Sequence, residues 1–174
     1  MAKRRKAMKR STGAGTARRH AQVRARGRPS GPSGLSKREI PPFMLFVARE
    51  TPAAQKIDII RAGVGARVVD DMVAYLEVPK AVIFALLHTP ESTAHKLIKD
   101  NRNLDAAASE RVVRVADITR LAEATFGARE AATHWLKSAN LALAGVTPLS
   151  MLDTEPGAGE VRRLLHAIDA GGVL

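Results

Sequence analysis

Residues 105–127 read DAAASERVVRVADITRLAEATFG, a helical stretch of some twenty residues between a cap and a stop. Asp105 suits the N-cap, because its short carboxylate reaches the unpaired amides of a first helical turn. Glu110, Arg114 and Asp117 recur at helical spacing and share one polar face. Gly127 separates this segment from a helix at about residues 128–138, on which Ala132, Trp135 and Leu136 face inward. Further along, Val161, Leu164, Leu165 and Ile168 repeat at i, i+3, i+4, i+7 and stop at Gly171-Gly172. Thr154 caps that last helix, with Glu155 in its first turn and Pro156 tolerated there. Thr147-Pro148 makes a similar pair, opening a single turn that buries Leu149 and Leu152.

The same periodicity continues on the N-terminal side. Ile57 and Ile60 lie three apart before Gly63 and Gly65 break the segment. Val68, Met72 and Leu76 form an i, i+4, i+8 stripe, flanked by Val69 and Val73. Val82, Ile83, Leu86 and Leu87 form the next, with Pro79 at a first-turn position. Thr89-Pro90-Glu91 reads as a helix start with Thr89 as N-cap. No stretch sustains the apolar/polar alternation of a half-buried strand. The body is predicted to be all-α.

Two of these helices, about residues 80–87 and 91–99, are joined only by His88-Thr89-Pro90. A connection that short forces a sharp crossing, as in a helix-turn-helix. On the second helix Ala94, Leu97 and Ile98 fit a core. Ser92, His95, Lys96 and Lys99 then point outward, with Thr93 at the margin and Arg102 just beyond. Hydroxyl and cationic side chains on an exposed face suit phosphates and base edges of a major groove, and these six are the candidate DNA contacts. The same pattern also fits an ordinary solvated face.

The net charge of +11 is not spread evenly. Residues 1–40 carry 13 of the 28 Lys/Arg and one acid, Glu39, whereas the remaining 15 basic residues are balanced by 16 acids. Ser, Gly, Ala and Pro fill the gaps between clusters such as Lys3-Arg4-Arg5-Lys6. Such a segment buries too little apolar surface to offset its ordering entropy, so residues 1–40 are expected to be a disordered basic tail. It suits either a phosphate-neutralising arm or a solubilising extension. Pro41 to Val47 is apolar enough to pack on the body or on a second subunit.

Several function classes drop out. With no cysteine, there is no disulfide framework, thiolate metal site or Cys nucleophile. A reducing cytoplasm is the expected compartment, and no apolar run is long enough to span a membrane. Six aromatic residues are too few for an aromatic-floored sheet that stacks single-stranded bases. The five histidines form no i, i+4 metal pair, no Ser sits in a Gly-x-Ser-x-Gly turn, and Asp70-Asp71 point to different faces. Neither an enzyme nor a cofactor is expected.

The C-terminal third is the most specific part. Its tokens are Trp135-Leu136, the run Asn140 to Leu149 (NLALAGVTPL), Leu152-Asp153-Thr154, Gly157, Val161, Leu164-Leu165, Ile168 and Gly171. With Gly63 and Ser109-Glu110-Arg111 upstream, residues 57–174 resemble the Xre/ParS-type antitoxins of RES–Xre type II toxin–antitoxin systems. Family members commonly carry Gly where Glu77 stands and Pro where Ala139 stands. The first departure falls at a helix end, where Gly is favoured because the chain turns left-handed.

Helical periodicity and the resemblance together give an expected helix-turn-helix domain at residues 41–104 and a toxin-binding domain at residues 105–174. It implies that the C-terminal end binds and blocks a RES-type, NAD-consuming toxin. The residues singled out are Arg162, His166, Asp169, Gly171, Gly172, Val173 and Leu174, the last few as a plug with a free carboxylate. Operator DNA as a second partner, autorepression and a homodimer belong to the same expectation. Trp135, Leu143, Leu149, Leu152 and Leu165 are read as core. The competing readings are a basic architectural DNA-binding protein acting through its tail, and a stand-alone repressor without a toxin partner.

Overall fold

In the computed structural model, which describes residues 43–171, the chain runs through eight α-helices and two 3₁₀ segments. These are α1 (Phe43–Ala48), α2 (Ala53–Ala62), α3 (Val68–Leu76), α4 (Lys80–Leu86), α5 (Glu91–Lys99), α6 (Ala106–Phe126) and α7 (Arg129–Lys137). The 3₁₀ segments Leu141–Leu143 and Pro148–Asp153 follow, and α8 (Glu155–Asp169) completes the series. Among the described residues the sole β pairing is an isolated bridge between Gly65 and Asn103, so the fold is all-α. The expected basic tail at residues 1–40 and the terminal Gly172, Val173 and Leu174 lie outside the described residues.

α6 is the spine. At 21 residues it extends about 30 Å and packs against α1, α2, α7 and α8. Asp105 Oδ1 accepts from the Ala108 amide at 2.7 Å, as its cap position requires. Ala108, Val112, Val115, Ile118 and Ala122 form its buried face, and the small residues among them let neighbouring helices approach closely. Gly127 ends the helix at φ +73°. On the polar side, Arg114 pairs with Glu110 at 2.5 Å, and Lys56 of α2 reaches Asp117 at 2.6 Å.

A buried hydroxyl fixes the loop after α2. Ser109 Oγ, fully buried in α6, accepts from the Val64 amide at 2.8 Å. Gly63 stands beside it at φ +79°, where an added Cβ would meet the Leu104 carbonyl oxygen at 2.5 Å. Only glycine fits that position.

Most inward assignments hold: Leu143, Leu149, Leu152 and Leu165 are buried. Trp135 is only half-buried, its ring 5.4 Å from Phe126 at the rim of the core. Ile57 and Val82 are 46% and 40% exposed, and Ile59 carries the burial of α2 instead. α1 packs on α3 and α6 through Phe43, Phe46 and Val47. Phe43, Phe46 and Val47 of that apolar segment therefore pack on the body of their own chain, while Met44 and Leu45 are exposed.

Two helix starts differ by one residue from the sequence reading. Pro90, not Thr89, is the cap of α5, because the Ala94 amide donates to the Pro90 carbonyl. The Thr89 hydroxyl turns back instead to the Leu87 carbonyl at 3.4 Å. Pro79 likewise stands at the cap of α4 rather than within its first turn. In both cases the fixed φ of proline suits either position, and the neighbouring amide decides.

Candidate functional site

The helix-turn-helix is α4, a four-residue turn from Leu87 to Pro90, and α5; the turn is one residue longer than the sequence reading because α4 ends at Leu86. His88 takes the turn at φ +52°, a left-handed conformation uncommon for a side chain of its size. Ala94 is fully buried, and Leu97 and Ile98 pack partly against the core. That arrangement sets the rotation of α5. Ser92, Thr93, His95, Lys96 and Lys99 are accordingly all exposed, and so is Arg102 beyond the helix end. Five of the six candidate contacts thus lie on the side of α5 opposite Ala94, and Arg102 follows three residues after the helix end. His95 is the least free of them: its ring stands edge-on to Phe84 at 5.3 Å, and Nε2 lies 3.3 Å from Glu91 Oε1.

The second surface is built around α8. Thr154 Oγ1 accepts from the Gly157 amide at 3.3 Å and starts the helix, with Glu155 in the first turn. Gly157 allows the tight return from the preceding 3₁₀ helix, since an added Cβ would stand 2.1 Å from the Met151 carbonyl oxygen. Val161, Leu164 and Leu165 bury one face. Arg162 is half-exposed and lies 3.6 Å from Glu155, which also faces Arg114 at 3.1 Å. His166, Asp169 and Gly171 are exposed. The surface is polar and mixed in charge.

A polar seam joins the two regions, and sequence reasoning missed it. Arg111 of α6 donates from Nη1 to the Leu87 carbonyl at 3.3 Å and from Nε to the Asp153 carbonyl at 3.2 Å. His88 Nε2 lies 3.2 Å from Asp153 Oδ2. Arg114 Nη1 reaches the Leu152 carbonyl at 3.2 Å. Arginine's planar fork serves two carbonyl groups at once, so it ties the turn before α5 to the turn before α8.

Among the described residues, no group of three or more His, Asp or Glu is arranged to hold a metal ion. No described helix is long and apolar enough to cross a membrane. The arrangement presents two exposed polar surfaces on one helical frame.

Comparison with known proteins gives two family matches along the chain. Residues 55–117 match the family described as the antitoxin Xre-like helix-turn-helix domain. Residues 121–171 match the antitoxin Xre/MbcA/ParS C-terminal toxin-binding domain. The chain is similar to a Sphingobium protein named Prs ADP-ribosylating antitoxin, with 31% identity over 140 residues, covering 75% of this chain and 88% of the relative. It is also similar to the antitoxin Xre of Pseudomonas putida, with 35% identity over 82 residues, covering 47% of this chain and 52% of the relative. A helix-turn-helix followed by a toxin-binding domain makes this chain an antitoxin of a toxin–antitoxin system, a member of the Xre/MbcA/ParS family.

Proposed function

We propose that this antitoxin neutralises a RES-type, NAD-consuming toxin by binding it and occluding its reaction pocket. The observation that carries the reading is the likeness to the Prs ADP-ribosylating antitoxin over most of both chains. ADP-ribosyl groups are drawn from NAD, so the chemistry in that name fits a toxin that consumes NAD. Occlusion asks for no chemistry from the antitoxin, only for shape and tight association. The outer side of α8, with Arg162, His166 and Asp169, supplies the contact surface, and on this reading Gly171, Gly172, Val173 and Leu174 serve to block the pocket. On this reading the functional boundary lies between Leu104 and Asp105: residues 41–104 serve DNA and residues 105–174 serve the toxin.

The test is co-expression of the toxin with a chain lacking Gly171–Leu174. Loss of growth and of cellular NAD, with the truncated chain still folded, supports the plug; undiminished protection refutes it.

The exposed face of α5 supports binding to the operator of the antitoxin's own operon, and thereby autorepression in the bacterial cytoplasm, at the nucleoid. A homodimer suits half-sites related by two-fold symmetry. The excess charge of residues 1–40 favours a second reading of the DNA contact, in which the tail alone binds duplexes without regard to sequence.

A further inference from the structure

The loop between α7 and the second 3₁₀ helix presents a leucine almost entirely to water. Leu141 is 95% exposed, whereas Leu143, two residues on, is buried. From Ser138 to Leu152 the chain carries no charged side chain, although 26% of the protein's residues are charged. Val146 on the same loop is 44% exposed.

The exposure of Leu141 is held in place by the loop's own hydrogen bonds. The Asn140 amide donates to the Val146 carbonyl at 3.1 Å, and the Gly145 amide donates back to the Asn140 carbonyl at 2.9 Å. The Asn140 side-chain oxygen accepts from the Ala142 amide at 2.9 Å. Ala144 and Gly145 reverse the chain in left-handed conformations, at φ +57° and +79°. The 3₁₀ turn that carries Leu141 packs on α8.

Local depletion of charge around a rigid apolar projection is what the centre of a protein–protein contact presents. Because the loop is already ordered, little entropy is lost when Leu141 is covered. DNA is a poor occupant, since an uncharged surface displaces no counterions from phosphate. The loop lies within the residues matched to the toxin-binding domain and beside the helix to which the toxin contact is assigned. We infer that Leu141 is the apolar anchor of the toxin contact and seats in an apolar recess of the toxin. This rests on the occlusion reading above.

Removing a leucine side chain fully from water corresponds to roughly ten- to hundredfold in Kd. The test measures the affinity of the full chain and of its Leu141→Asp and Leu141→Ala variants for the purified cognate toxin. Melting temperature and light-scattering mass are recorded alongside. Both variants should melt as the wild type does and keep its oligomeric state. Leu141→Asp should bind the toxin at least tenfold more weakly, with Leu141→Ala in between. Wild-type affinity in both variants overturns the anchor while leaving the occlusion reading intact. A change of mass without loss of toxin affinity also overturns it, and assigns Leu141 to a second copy of the chain. Failure of the wild-type chain to bind the toxin overturns both. If Leu141→Asp proves unfolded, Leu141→Ala decides by the same criterion.

Discussion

Arg111 Nε donates to the main-chain carbonyl of Asp153 at 3.2 Å, across 42 residues of chain. The same guanidinium also holds the carbonyl of Leu87, and the side chains of His88 and Asp153 meet beside it. The turn that aims α5 and the turn that starts α8 are therefore fixed to one side chain of the spine.

Removing that group should cost stability without changing the fold. Arg111→Met keeps the aliphatic stem but leaves two carbonyls without their charged donor. The expected loss is about 1.5–3 kcal/mol, read as a lower urea midpoint at unchanged slope. An unchanged midpoint would mean that the two turns hold themselves.

Glu77 is the reverse case, a position where substitution should stabilise. It caps α3 at φ +56° and ψ +49°, a left-handed conformation that costs a side-chain-bearing residue about 1–2 kcal/mol. Its exposed pairing with Lys137 at 3.2 Å offsets little of that. Glu77→Gly should gain about 0.5–1 kcal/mol after the greater chain entropy of glycine is subtracted. Thermal melts of the two proteins check this, and a lower melting temperature would refute it.

Tyr75 offers a direct optical probe, because it is the chain's one tyrosine. Burial raises its pKa first. The 2.7 Å hydrogen bond to Glu123 and that carboxylate's charge raise it further, while Arg129, 4.1 Å over the ring, opposes them. The result is about 12. The phenol is neutral when protonated, so the raised value makes folding stability from this group fully present below about pH 10 and lost as pH rises through about 12. Absorbance at the phenolate band should show titration near 12 in the folded chain and near 10 in denaturant. Coincident curves would show that Tyr75 is neither buried nor bonded to Glu123 in solution.

Much of the fold is legible in the sequence because cap chemistry is local. Asp105, Thr147 and Thr154 each bond an amide three residues on, and each reads correctly from its immediate neighbours. Thr89-Pro90 defeats the same rule: proline has no side-chain acceptor, yet the Ala94 amide bonds the Pro90 carbonyl and the cap falls there. The departure from glycine at Glu77 marks a left-handed turn before any coordinate is known, and the structure has one there. The Arg111 seam carries no such signal, because its partners are remote in sequence. Leu141 looks like core by composition, and only its surroundings reveal that nothing covers it.

The proposed DNA surface makes its own demand. Lys96→Ala with Lys99→Ala should weaken binding to the operator and reduce the slope of log affinity against log salt by about one to two. A chain lacking residues 1–34 should keep its preference for the operator over random duplex. Loss of all binding on both duplexes would assign the DNA contact to the tail.

Neutralisation by occlusion is tested most directly by titrating the purified full-length chain into the toxin encoded beside it while following NAD loss. NAD consumption should fall to background once antitoxin matches toxin in molar amount, with the two proteins eluting as one complex. A toxin that consumes NAD at its full rate in the presence of excess antitoxin would refute that mechanism.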